Sequence, residues 1–199
     1  MTASERLLKQ LAFIMEIDKL KQVVRQTQIM GGARQENSAE HSWQLAIMAM
    51  VLAEHANEPV DTGHVVRMVL VHDLIEIDAG DTFAFDSKGY LDKDEREQRA
   101  ADRIFALLPQ DQAEPLRALW DEFEAMATPE SRFANALDRL MPMLHNFHND
   151  GGTWRRPGVT LDKVLARQSA IAKGSEVLGA FSVELIEQAL ALGLISRSE

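Results

Sequence analysis

The stretch Val69-Leu70-Val71-His72-Asp73-Leu74-Ile75-Glu76 carries a histidine and two carboxylates into an otherwise apolar run. His72 shares helical spacing with Val65, Met68, Val69, Ile75 and Glu76. That spacing predicts one helix, opened by the cap-type residues Asp61 and Thr62 and closed near Gly80, with His72 facing inward. Asp73 follows at once, and a charge carried toward a core requires a partner or a metal.

Two further stretches repeat the pattern. After the cap-type residues Asn37 and Ser38, a helix is predicted from about Ala39 to Asn57, with His41 on one face with Leu45, Met48 and Leu52. This helix is apolar on most faces, which predicts a central position with Trp43, Ile47 and Met50 in the core. Downstream, Thr128-Pro129-Glu130 reads as a cap, a proline at the first helical position and a first-turn carboxylate. The helix it opens should reach about His148, with a kink or break at Pro142. Within it, Asp138 lies in the apolar context Phe133-Ala134-Asn135-Ala136-Leu137-Asp138-Arg139-Leu140-Met141.

The rest of the chain is punctuated by Gly and Pro into more helical segments. They run from about Ser4 to Val24, Asp94 to Leu108, Gln110 to Ala127, Thr160 or Leu161 to Gly174, and Ser182 to Leu192. Strand-like alternation is scarce. The expected fold is all-α, one multi-helix unit over 1–199. Its core would lie at about 25–154, with C-terminal helices at 160–193 packed on it.

Composition narrows the function. The formal charge of −10 disfavours binding to a nucleic-acid polymer, because a net negative chain repels the phosphate backbone. Cysteine is absent, which excludes disulfides, thiolate zinc sites and cysteine nucleophiles. The first ten residues carry Glu5, Arg6 and Lys9 without a signal-type apolar core. The longest apolar run, Leu45 to Ala53, is nine residues, too short for a bilayer. These features point to a cytoplasmic protein that does not insert in a membrane.

Three helices thus each bring ligand-type side chains to one buried region. Two imidazoles and two carboxylates suit a first-row divalent ion better than calcium, which takes all-oxygen shells. Spacing alone leaves two readings open, a metal centre and a set of satisfied core polar residues.

A histidine on one helix, a His-Asp doublet on the next and a distant Asp on a later helix resembles the HD superfamily of metal-dependent phosphohydrolases. Glu36-Asn37-Ser38-Ala39-Glu40-His41-Ser42 looks like the ENxxEHS element of bacterial 5′-deoxynucleotidases and their relatives. His72-Asp73-Leu74-Ile75-Glu76, followed by Gly80-Asp81, is similar to that group's HDxxE and downstream Gly-Asp. Asn149-Asp150-Gly151-Gly152-Thr153-Trp154 is similar to a stretch in many members.

The resemblance implies that His41, His72, Asp73 and Asp138 hold one divalent metal, with Mn, Co, Fe, Zn and Ni all acceptable to that set. It implies proton-handling roles for Glu76, on the face of His72 and one turn on, and for Asp81. An upstream arginine is expected on the phosphate. Arg25 is the nearest match, and Arg34, just before Glu36, is the second candidate. Where the nucleotidases carry a tryptophan after that arginine, this chain has Gln26. The selection of deoxyribose over ribose is therefore left open.

The implied activity is phosphate release from a nucleoside 5′-monophosphate, a small phosphorylated partner, by a homodimeric enzyme. Phosphodiesterase or alarmone-type hydrolysis and a non-catalytic metal- or nucleotide-binding sensor are the alternatives. Glu40 is a candidate support for the ligands. His145 and His148 are expected to be structural, and His55 and His64 exposed.

Overall fold

The first helix ends sooner than its apolar stripe predicts. In the computed structural model, which describes residues 4–197, α1 spans Glu5–Ile17 and is capped by the Ser4 side chain, which accepts from Leu7 N. A 3₁₀ turn, Asp18–Gln22, leads into strand β1, Val24–Gln28. β1 pairs antiparallel with β2, Gln35–Asn37, in a two-stranded sheet. The expected continuation of the helix to Val24 is thus corrected. Val23, Val24 and Thr27 are β-branched and favour a pleated, half-buried surface. The strand's alternation turns Arg25 and Thr27 inward and leaves Val24 and Gln28 exposed.

α2, Ser38–Leu52, starts from a capping box in which the Asn37 side chain accepts from Glu40 N and Glu40 reaches back to Asn37 N. Its buried face carries His41, Ser42, Leu45 and Ala49. Trp43, Ile47 and Met50, expected in the core, are 63%, 45% and 64% exposed. A helix that is apolar all round offers no periodic cue to which stripe turns inward. Here the inward stripe includes the small residues Ser42, Ala46 and Ala49, and α2 packs against α3.

α3, Thr62–Val71, is capped by Asp61 as expected. It does not run unbroken to Gly80. Beyond His72 the backbone tightens, with Leu74 N bonding Val71 O and Glu76 N bonding Asp73 O. The short helix α4, Glu76–Ala79, follows and ends at Gly80, whose φ of 74° favours glycine. Bonds from i+3 to i bring side chains three apart into line, so Asp73 and Glu76 share one side.

α5, Lys93–Phe105, and α6, Gln110–Ala125, form one outer wall. α7, Pro129–His148, begins from the expected Thr128 cap, with Pro129 and Glu130 in its first turn, and Ser131 completes a capping box with Thr128. Of the kink or break expected at Pro142, the break is absent, and α7 passes through it as one helix. A proline there removes the N–H that would bond the carbonyl four residues back, that of Asp138.

After a 3₁₀ turn at Gly152–Arg155 come α8, Leu161–Gln168, α9, Ile171–Gly174, and α10, Glu176–Ala191. α10 starts six residues before the expected Ser182, because Ser175 caps it by accepting from Leu178 N. α9 lies so close to α7 that a Cβ on Gly174 would collide with the Arg132 carbonyl.

The core is built from α2, α3, α6, α7 and α10 around Leu45, Met68, Trp120, Phe133, Leu137 and Ile186, each at most 2% exposed. Asn149, just past α7, donates to the carbonyls of Gln28 and Ile29 and accepts from Gly31 N. It thereby ties the β-hairpin to the end of α7. Among the described residues, no helix is long and apolar enough to cross a membrane.

Candidate metal centre

His41 from α2, His72 and Asp73 from the tightened turn, and Asp138 from α7 meet at one point. One ligand-type atom from each of His41, His72 and Asp73 lies within 4.8 Å of the others. Asp138 Oδ1 lies 3.0 Å from His41 Nε2 and 3.8 Å from His72 Nε2, and Asp73 Oδ1 lies 3.0 Å from His72 Nε2. His41, His72 and Asp73 are buried, and the Asp138 side chain is 17% exposed.

The tautomer of His72 follows from its neighbour. Its Nδ1 lies 2.8 Å from the Val69 carbonyl, which can only accept, so Nδ1 carries the hydrogen. In the neutral ring Nε2 is then the lone pair; it is buried, has no hydrogen-bond partner and faces two carboxylates. Acceptors facing one another in a buried site need a cation between them, either protons or a metal. Burial alone would lower the His72 pKa, but Asp73 and Asp138 outweigh it and push it up to about 9. Burial likewise opposes the Asp138 charge, and the His41 hydrogen bond together with the facing His72 imidazole holds that carboxyl well below the usual range. The chemistry of this donor set, two imidazoles with two carboxylates, fits a first-row divalent ion.

Glu36 stands behind the histidines. It is 1% exposed, and its Oε2 lies 3.4 Å from His41 Nδ1, 3.7 Å from His145 Nδ1 and 3.7 Å from Arg25 Nε. A carboxylate on the far nitrogen of an imidazole orients the ring and raises its basicity. His145 is buried beside it and His148 is exposed on the last turn of α7. His55 and His64, expected to be exposed, are half-buried, and His64 Nε2 lies 2.7 Å from Glu122 Oε2.

Arg25 is buried in the middle of the acids. Its Nη1 donates to Asp73 Oδ2 at 2.7 Å and lies 3.7 Å from Asp81 and 3.9 Å from Glu76, while Nη2 lies 3.9 Å from Asp138. Burial works against this charge, and the four carboxylates more than offset it, holding the guanidinium above its ordinary value. Glu76 is buried and accepts from Ser38 Oγ at 2.6 Å. Burial, then the Asp73 charge, push its carboxyl well above the usual range. Burial also raises Asp81. One guanidinium among Glu36, Asp73, Glu76, Asp81 and Asp138 leaves the site short of positive charge.

Of the residues expected at the site, His41, His72, Asp73, Asp138, Glu76, Asp81 and Arg25 converge. Arg34 does not. It is exposed and makes a two-pronged contact with Glu40 at 2.8 and 2.6 Å. Glu40 is occupied by that contact and by its capping role, away from the ligands. Glu36 and Ser38 were visible only as letters of a motif, because a three-residue strand and a cap position carry no periodic signal.

A cleft opens from the centre. On the metal side, a cavity of about 260 Å³ is bounded by His72, Glu76, Asp81, Asn135 and Asp138. Beyond it the walls turn apolar, with Phe83, Phe85, Pro142, Met143 and Trp154. Phe83 and Phe85 meet edge to face at 5.4 Å, and Arg156 lies over Phe83 at 4.9 Å while donating to Gln26 Oε1.

Comparison with known proteins places this geometry. Residues 17–178 match the family model described as HD domain. Human 5′-deoxynucleotidase HDDC2 is 32% identical over 135 residues, covering 67% of this chain and 65% of the human protein. The matched region thus spans just under two thirds of that relative. The fission-yeast 5′-deoxynucleotidase hdd1 is 27% identical over 115 residues, 55% of this chain and 56% of the yeast protein. A crystal structure of a predicted metal-dependent phosphohydrolase from Magnetospirillum magnetotacticum superposes with a TM-score of 0.91 at 52% identity, covering 96% of each chain. The match runs from the 3₁₀ turn before β1 into α10 and so includes every element that supplies a side chain to the centre. The chain belongs to the HD domain family.

Proposed function

We propose that this protein is a metal-dependent phosphomonoesterase that releases phosphate from nucleoside 5′-monophosphates. The observation that carries the reading is the His72 imidazole, whose Nδ1 is tied to the Val69 carbonyl while Nε2, buried and without a hydrogen-bond partner, faces Asp73 and Asp138 at the floor of a cleft. The names of the human and yeast relatives and of the bacterial structure support the activity.

His41, His72, Asp73 and Asp138 would hold the ion. A divalent cation there polarises a phosphoryl oxygen and lowers the pKa of water. The remaining work falls to this chain's own side chains. Arg25 presents its guanidinium to the phosphate from the floor. Glu76, held by Ser38 and tuned upward by burial, exchanges a proton with the attacking water, and Asp81 serves the departing oxygen. Phe83 and Phe85 offer an aromatic wall to the nucleoside. Water attacks phosphorus and the 5′-oxygen leaves.

The same reading makes the protein a cytoplasmic homodimer, and the exposed apolar face of α2 at Trp43, Ile47, Met50 and Val51 supports self-association. Light scattering tests it against the monomer mass of 22.3 kDa.

The deciding experiment is phosphate release from ribo- and deoxyribonucleoside 5′-monophosphates by protein stripped of metal and reloaded with Mn, Co, Zn or Mg. Metal-dependent release that Asp73→Asn abolishes is the expected result. Stoichiometric metal binding without release from any of them overturns the monoesterase reading and leaves a diester substrate or a sensor.

A further inference from the structure

The acids of the centre explain how a cation is held, and leave open how a phosphate dianion approaches them. Arg25 is shared among four carboxylates. The chain as a whole carries −10. An anionic substrate needs a further local source of positive charge, placed where the cleft meets the centre.

Two arginines occupy that place. Arg139 on α7 and Arg167 on α8 line both the metal-side cavity and the apolar cavity beyond it. The positions follow from helical spacing. Asn135, Arg139, Pro142 and Met143 form one face of α7 along the cleft, and Val164, Arg167 and Gln168 form the facing edge of α8. Both side chains are half-buried. Arg139 Nε is fully buried and has no hydrogen-bond partner. Among the described residues, no carboxylate lies within ion-pair distance of either arginine. Two cations lining the same cavities, one of them with an unmet donor, are poorly satisfied until an anion joins them.

We infer that Arg139 and Arg167 form a phosphate clamp at the neck of the cleft, gripping the phosphoryl group of the substrate while its nucleoside lies against the apolar wall. The inference rests on the phosphohydrolase reading and deepens it. Guanidinium is suited to the task because its planar donors match phosphate oxygens two at a time and it stays charged when partly buried.

Binding of inorganic phosphate, measured by calorimetry on manganese-loaded protein, tests the clamp apart from turnover. Arg167→Gln and Arg139→Gln are each expected to weaken phosphate binding by about tenfold or more, the loss of a charged hydrogen bond, with metal content unchanged. Arg139→Lys keeps the charge without the fork and should recover part of the affinity, which also guards against a misfolded Arg139→Gln. In turnover, the nucleotide KM should rise more than kcat falls. Phosphate affinity equal to that of the unmodified protein in both Gln variants, with full metal content, overturns the clamp. Phosphate binding that depends on the pair without any nucleotide turnover keeps the clamp and overturns the monoesterase reading alone.

Discussion

Glu36 Oε2 lies 3.4 Å from His41 Nδ1, on the side of the ring away from Asp138. The carboxylate sits in the shorter strand of the hairpin, the imidazole in the first turn of α2, and Asn37 between them caps that helix. A strand end and a helix start are thus fused so that one residue stands behind another five positions on, close to it but without a hydrogen bond. Glu36→Gln should lower metal affinity by about 10–100-fold, the usual cost of losing a carboxylate behind a ligand histidine. Competition with a chromophoric chelator reads this directly, and unchanged affinity would remove Glu36 from the ligand support.

Metal binding should be visible in stability. A ligand that binds only the folded state at a hundred times its Kd adds about 2.7 kcal/mol. Manganese or cobalt should therefore raise Tm by several degrees, and chelation should reverse it. Asp138→Asn should abolish the shift while leaving α7 helical by circular dichroism. A shift of full size in that variant would place the ion elsewhere.

Glu76 supplies a pH prediction for the metal-free protein. Burial and Asp73 raise its folded pKa above the ordinary value of 4.5. A raised carboxyl favours folding when protonated, so its contribution is fully present below 4.5 and is lost as pH rises toward the folded value. Glu76→Gln should then be more stable than the parent at neutral pH, with the gap closing in acid. Denaturant midpoints at several pH values check this, and a variant weaker at neutral pH would show that Ser38 and Arg25 hold the ionised form.

Much of this was readable in the sequence because polar residues stood where helical periodicity demanded apolar ones. His41, His72 and Asp138 could be placed inward from their neighbours alone, and Asn37, Asp61 and Thr128 marked helix starts by their cap chemistry. The misreadings share a cause. Val23 and Val24 follow Leu20 at helical spacing, and only pairing with β2, a tertiary contact, makes an extended strand of them. Trp43, Ile47 and Met50 belong to a helix apolar on all sides, where pattern cannot choose a face. Arg139 was hidden by position, since a charge next to Asp138 reads as that residue's neighbour and not as a group in its own right.

The close approach of α9 to α7 should be intolerant of one methyl group. Gly174→Ala forces a Cβ into the Arg132 carbonyl and the Phe133 backbone. Overpacking of this kind costs about 1–3 kcal/mol or more, which urea unfolding will show as a lower midpoint with the same slope. No loss of stability would mean that α9 can shift without cost.

Arg34 is expected to behave as surface. Its contact with Glu40 is exposed, and solvent screens such pairs. Arg34→Gln should leave the unfolding midpoint, phosphate affinity and metal content unchanged. A large loss of phosphate binding would return this arginine to the site.

The meeting of His41 and Asp138 spans 97 residues of chain. Closing a loop of such length costs entropy that grows with its logarithm, of order 1.5RT ln n, and nothing local can lower that cost in advance. The donor set therefore assembles only after α2, the turn at His72 and α7 have docked. An ion cannot seed this fold; it can only bar the exit from it. Refolding rates should be indifferent to manganese, while unfolding rates slow in proportion to occupancy, so that loss of the ion sets the pace at which the chain comes apart.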